Sequence, residues 1–177
     1  AVVYLSSFSK TLAPGFRVGW MTGPAALMTK LEFAKQAADL CTGGLDQVVI
    51  YEAHRRGVLA HQGPRLRALY QARRDAMVAA LQEHAAGRVS WETPPGGFFL
   101  WARILGHTTS DALLDRARAH AVSYVPGSAF YVDGGGAEFM RLSFSEPSPA
   151  RIATGIARLA AALSDATSSE TRSTAST

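Results

Sequence analysis

The sequence predicts an α/β protein in two unequal parts: an incomplete α/β unit over residues 1–60 and a small α+β unit over residues 88–165, with a linking helix within residues 61–87. Three observations carry this expectation. Strand-forming runs and helical periodicity alternate through the first 60 positions, and one long amphipathic stretch then runs from Pro64 to Ala86. After Gly87 the period shortens to brief strands, and a last amphipathic helix closes the chain.

Val2 to Leu5 is apolar and rich in strand formers, so it reads as a buried strand whose sheet partners lie elsewhere. Ser6 to Gly15 is crowded with hydroxyls and ends in Pro14-Gly15, after which Phe16 to Met21 reads as a second strand stopped by Gly23-Pro24. From Pro24 to Leu40 the pattern is helical, with Leu27, Leu31 and Ala34 on one stripe and Lys30, Glu32 and Lys35 left to solvent. Gly43-Gly44 breaks it. A second helix is expected over 46–59 and a third over 64–86, the latter with Leu66, Leu69, Tyr70, Met77, Ala80, Leu81 and His84 on its apolar stripe.

In the second part, strands are expected at Val89 to Glu92, Gly97 to Ile104, Val122 to Val125 and Phe139 to Phe144, with a helix near Ser110 to His120. Phe98 and Trp101 read as core residues, and Gly134-Gly135-Gly136 as a flexible hairpin connection. Ser148-Pro149 supplies an N-cap and a proline at the first helical position, ahead of a stripe of Ile152, Ile156, Leu159 and Leu163. Residues 166–177 are Ser, Thr and Ala with almost no large apolar group, so a disordered tail is expected there.

Composition narrows the function classes. With 47% hydrophobic and 18% charged residues, 177 positions suffice for a globular core. The single cysteine, Cys41, cannot form an internal disulfide, which favours a reducing, cytoplasmic setting. The net charge of +4 comes from basic residues dispersed among acids, a pattern of solubility rather than of nucleic-acid binding. No apolar run is long enough for a membrane span, and the five histidines show no metal-ligand spacing. The chain opens on Ala1 directly into an apolar run, as a fragment of a longer protein would.

Three lysines occur, and Lys30 and Lys35 have ordinary helical surroundings. Lys10 differs, because it sits in a hydroxyl-rich loop behind a strand with Arg17 seven positions on and Pro14-Gly15 forcing a turn between. An amine that condenses with a carbonyl must spend part of its time deprotonated, which a nearby fixed cation and partial burial promote. A guanidinium suits a phosphate dianion because it stays charged and donates in a planar fork. Ser7, Ser9, Lys10 and Arg17 together would make one end of a site for a phosphorylated aldehyde such as pyridoxal 5'-phosphate.

The segment from Ser7 to Trp20 resembles the cofactor-lysine segment of class I/II aminotransferases of fold type I, in the branch with 2-aminoadipate and kynurenine aminotransferases and the aminotransferase-like domains of MocR regulators. Further resemblances follow in order: Pro94 to Trp101, Val125 to Phe130, and Arg141 to Ser145. The resemblance implies a fold type I pyridoxal-phosphate-dependent transferase, a partial large domain plus the small C-terminal α+β domain. Lys10 is then the cofactor lysine and proton shuttle, Ser7 and Arg17 hold the phosphate with Ser9 beside them, and Arg141 grips the substrate α-carboxylate. Ala121 stands where a glycine is usual.

The resemblance covers the second half of the family pattern. The other half would supply the acid that keeps the pyridine nitrogen protonated, without which the electron sink is weak. The expected whole is a cytoplasmic homodimer acting on amino acids and 2-oxo acids in amino-acid metabolism and biosynthesis, with this chain completed by an N-terminal half of the same protein. Decarboxylation, elimination or racemisation with the same cofactor, a ligand-sensing domain of a MocR/GntR-type regulator, and a plain interaction domain remain open alternatives.

Overall fold

The computed structural model describes the backbone of residues 1–174 and the side chains to position 165. The chain divides into two compact units, 1–66 and 67–177.

In the first unit, β1 (Tyr4–Ser7) pairs antiparallel with β2 (Gly19–Thr22) as a two-stranded ribbon, in the register Tyr4↔Thr22 to Ser7↔Gly19. This corrects the expectation of a buried strand paired elsewhere. β1 lies two residues further on than expected, its partner is the strand that follows it, and Leu5 is 69% exposed. A two-stranded ribbon has no third strand to cover it, so apolar residues on it stay open. β2 starts at Gly19 rather than Phe16, because Pro14 to Phe16 form a 3-10 turn that ends with Arg17 in the left-handed region at φ 54°.

Two helices follow, α1 (Ala25–Asp39) and α2 (Gly44–Arg55), and then α3 (Val58–His84). The break between α2 and α3 falls at Gly57, whose φ of +73° suits glycine, and not at Pro64. Pro64 sits inside the second turn of α3, so the third helix starts six residues earlier than proline punctuation suggests. The unit boundary falls within α3.

The second unit is a four-stranded antiparallel sheet in the order β3-β4-β6-β5, made of β3 (Val89–Trp91), β4 (Phe99–Ile104), β5 (Val125–Pro126) and β6 (Phe139–Ser143). Strand alternation decides which side chains enter the core. Leu100, Ala102 and Ile104 of β4 and Met140 and Leu142 of β6 are buried together with Met77, Ala80 and Leu81 of α3, Leu113 and Ala117 of α4 (Ser110–Ala119), and Ile152, Ile156, Leu159 and Leu163 of α5 (Pro149–Thr174). The α5 stripe is the one the sequence predicts, and Ser148 caps it by accepting from the Arg151 N–H at 3.4 Å. The α3 stripe is buried from Met77 onward, whereas Leu69 is exposed.

Four further expectations are corrected here. Phe98 and Trp101 are partly buried and lie outside the core cluster; Trp101 is on the β4 face that carries Phe99 and Arg103, opposite to Leu100 and Ala102. The strand expected from Val122 shrinks to Val125–Pro126, since Ala121 takes a left-handed turn at φ 56°. The triple glycine is packed at its end: Gly136 is buried against the Tyr131 ring and the Gly127 backbone. Finally, α5 continues as helix to Thr174, across most of the stretch expected to be a disordered tail, while 175–177 lie outside the described residues.

Candidate functional site

The β1–β2 ladder fixes the first group of candidates. Its last pair, Ser7↔Gly19, is followed by a bond from the Phe8 N–H to the Val18 carbonyl at 3.1 Å, so residues 8–18 form one closed connection. Inside it the Leu12 and Ala13 N–H groups both reach back to the Phe8 carbonyl, at 2.8 and 3.2 Å, winding the segment that carries Ser9 and Lys10 into a compact turn. The Gln62 amide of α3 donates to the Leu12 carbonyl at 3.4 Å and ties the turn down.

Ser7 and Ser9 are half-buried, and Lys10 and Arg17 are exposed. Arg17 is held by its backbone: a non-glycine residue at φ 54°, ψ 29° costs about 1 kcal/mol or more and persists only where the surroundings over-determine it. The surroundings do so here, with the 3-10 turn before it, buried Val18 after it, and its guanidinium donating to the Pro14 carbonyl at 3.2 Å. Ser9, Lys10 and Arg17 are thus carried by one short connection, with Ser7 on the last residue pair of the ladder that closes it.

Arg141 belongs to the second unit. It sits mid-strand on β6, opposite Trp101 of β4 and Val125 of β5, on the sheet face away from the core. Its guanidinium carbon lies over the Phe99 ring at 4.0 Å and over the Phe130 ring at 4.8 Å. Its Nε is buried with no hydrogen-bond partner. None of the ion pairs among the described residues includes Arg17 or Arg141. The same face continues into an open groove of about 630 Å³ lined by Trp91, Phe99, Trp101, Arg103 and Phe139 among others.

Phe99 and Phe130 are the residues that sequence reasoning missed. Phe99 could have been found from its alternation with Leu100, but Phe130 lies eleven positions from Arg141 on a separate turn and carries no signal of its own. Among the described residues no cluster of three or more His, Cys, Asp or Glu is placed to hold a metal ion, and no helix is long and apolar enough to cross a membrane. Cys41 is exposed.

The described residues thus place a half-buried arginine on the antiparallel sheet of the second unit, and a lysine, hydroxyls and an arginine at the β1–β2 hairpin of the first. Comparison with known proteins defines the family. The family profile "Aminotransferase class I and II" matches residues 1–159. Aromatic-amino-acid aminotransferase 1 of Thermococcus litoralis is 42% identical over 159 residues, covering 90% of this chain and 38% of that protein. The crystal structure of LysN, an alpha-aminoadipate aminotransferase of Thermus thermophilus complexed with N-(5'-phosphopyridoxyl)-L-leucine, superposes with a TM-score of 0.87 at 36% identity, covering 93% of this chain and 42% of that one. The HTH-type transcriptional regulator YdfD of Bacillus subtilis is 31% identical over 158 residues, covering 89% of this chain and 32% of that protein. The chain belongs to the class I and II aminotransferase family, has the corresponding part of its fold, and spans about two fifths of the length of the aminotransferases it matches.

Proposed function

We propose that this chain is the part of a pyridoxal-phosphate-dependent aminotransferase that carries the cofactor lysine and the carboxylate-binding arginine. The observation that carries the reading is the closed 8–18 connection, which carries the Lys10 amine, the Ser9 hydroxyl and Arg17, with the Ser7 hydroxyl at the end of β1. That donor set fits a phosphorylated aldehyde. Arg17, Ser7 and Ser9 would bind its phosphate, the first as a permanent cation and the hydroxyls as neutral donors. Lys10 would engage its aldehyde. Once bound, the pyridine ring supplies an electron sink for the bonds at the substrate α-carbon.

The remaining chemistry belongs to the chain's own residues. Arg141 would bind the α-carboxylate of an amino acid or 2-oxo acid, because it forms no ion pair among the described residues, its buried Nε has no partner there, and a planar fork matches a carboxylate. The Lys10 Nζ would hold and move the proton at the substrate α-carbon, a role that needs an amine able to exist neutral. Family membership and the solved complex of LysN with a phosphopyridoxyl amino acid support this reading. It carries with it a homodimeric, cytoplasmic enzyme of amino-acid biosynthesis, supported by resemblance alone and checked by light scattering and cell fractionation.

The test is covalent trapping. Borohydride reduction of the intact protein that carries this sequence, in the presence of pyridoxal phosphate, is expected to leave the pyridoxyl label on Lys10, and Lys10→Ala is expected to abolish both label and amino transfer. A label spread over Lys30 and Lys35 with Lys10 unmodified overturns the reading. The similarity to YdfD supports a second reading, a ligand-sensing domain. That protein would also label at Lys10 but transfer no amino group and bind DNA.

A further inference from the structure

The arginines of this chain are held in two ways. Most of those with defined partners use their N–H groups within the chain: Arg88 donates to the carbonyls of His84 and Ala160 and to the Ser164 hydroxyl, and Arg118 pairs with Asp115. Arg141 is different. It forms no ion pair among the described residues, its Nε is buried without a hydrogen-bond partner there, and its cation rests on the ring faces of Phe99 and Phe130.

A ring face attracts a cation through its quadrupole and accepts no strong N–H hydrogen bond in the guanidinium plane. Holding an arginine this way fixes the charge while leaving its in-plane donors available, which a chain carboxylate would not. The two rings themselves are placed for this contact and not for the core. Phe99 is 41% and Phe130 45% exposed, on the β4 face opposite Leu100 and on the turn after Pro126-Gly127. Phe130 is steadied in turn by an edge contact with Trp101 at 5.3 Å, and Trp101 stacks on Phe139 at 5.6 Å. The aromatic layer therefore has a backing that keeps the rings in place before any substrate arrives.

We propose that Phe99 and Phe130 are positioning residues for the substrate carboxylate, acting through Arg141 by fixing its guanidinium with cation–π contacts that leave its N–H donors free. The inference rests on the reading of Arg141 as the carboxylate receptor. In this role both rings act through the guanidinium and determine how much of the arginine's freedom must be lost on binding. Replacing a ring by leucine keeps an apolar side chain and removes the quadrupole. A tyrosine restores it.

The experiment measures binding of 3-phenylpropionate, a carboxylate with no reactive amine, by calorimetry on the intact, pyridoxal-phosphate-loaded protein, with the neutral 3-phenylpropanamide as reference. Phe99→Leu and Phe130→Leu are each expected to weaken the acid about five- to tenfold with the amide unaffected, and Phe99→Tyr to restore it to within about twofold. In turnover with an amino acid the loss falls on KM rather than kcat. If both leucine variants bind the acid as wild type does while Arg141→Gln abolishes binding, the positioning role is overturned and the receptor reading survives. If Arg141→Gln also binds as wild type does, the receptor reading fails and this inference with it. Should Phe99→Leu, on a central strand, fail to fold by circular dichroism, Phe130→Leu on its surface turn decides alone.

Discussion

Gly127 offers the sharpest test of how the second unit is built. Its φ is not in the left-handed region, so its requirement for glycine is one of space. A Cβ added there would lie 2.3 Å from the Gly136 carbonyl oxygen, 2.7 Å from the Phe139 Cβ and 2.8 Å from the Phe139 carbonyl oxygen. Two of those atoms are backbone and cannot rotate away, so the turn that carries Phe130 must move off β6. Overpacking of this kind costs about 1–3 kcal/mol or more. For a chain of this size each 1 kcal/mol lowers Tm by about 2–4 °C, which sets the expected fall for Gly127→Ala. Gly96 provides the control, with nothing within 4 Å of its Cβ position and no positive φ. Gly96→Ala is expected to be neutral or to stabilise by about 0.4–1 kcal/mol, since alanine restricts the unfolded chain. The assay is urea and thermal unfolding followed by far-UV circular dichroism. Equal stability of the two variants, or a Gly127→Ala loss below about 0.5 kcal/mol, would refute the packing argument.

Two further outcomes are expected. The Tyr124 hydroxyl donates to the Ser110 carbonyl at 2.6 Å, and burial together with the nearby Asp111 carboxylate pushes its pKa well above the usual tyrosine range. The unfolded chain releases this proton near pH 10 while the folded chain keeps it. Stability therefore holds below about pH 10 and falls as pH rises beyond it, and Tyr124→Phe should lose that alkaline component along with about 0.5–1.5 kcal/mol at neutral pH, measured by urea unfolding across pH. Arg88→Met should cost about 1–3 kcal/mol, because the His84 carbonyl at the end of α3 loses its Arg88 donor and the Ala160 carbonyl on α5 keeps only the Ser164 hydroxyl as a side-chain donor, as read from urea midpoints with an unchanged slope.

Much of the first candidate site was legible because its determinants are local. Hydroxyls, Pro14-Gly15 and two flanking strand formers are enough to expect a loop carrying Lys10 and Arg17, and the ladder closing at Ser7↔Gly19 confirms that loop. The helix α5 was legible for the same reason, its cap and stripe being written in consecutive residues. What escaped depends on partners. Whether β1 is buried is decided by what covers it, and an apolar run says only that it could be. The start of β2 turns on Arg17 adopting a conformation that sequence pattern does not favour for arginine. Pro64 suggested a helix start because proline usually marks one, yet Gly57, with its positive φ, is the stronger break.

The second sheet shows how a size-based expectation can lose to alternation. Trp101 reads as core by bulk, but it alternates with Leu100 and Ala102, and Arg103 two positions on marks its face as the open one. On that face Phe99 and, from the turn before Tyr131, Phe130 contact the Arg141 cation, which is in no ion pair among the described residues. Arg17 and Arg141 reach similar states by different routes. One has its backbone set in a left-handed turn and its guanidinium donating to the Pro14 carbonyl, the other rests on rings from a neighbouring strand and a distant turn. In both cases the guanidinium is located without being neutralised by a carboxylate of the described residues. A surface arginine such as Arg118, paired with Asp115 at 3.0 Å, has charge and donors already matched within its own helix. Under the proposed function that difference matters, because an anion can supply a carboxylate or phosphate partner to Arg17 or Arg141 without first displacing a carboxylate of the described residues.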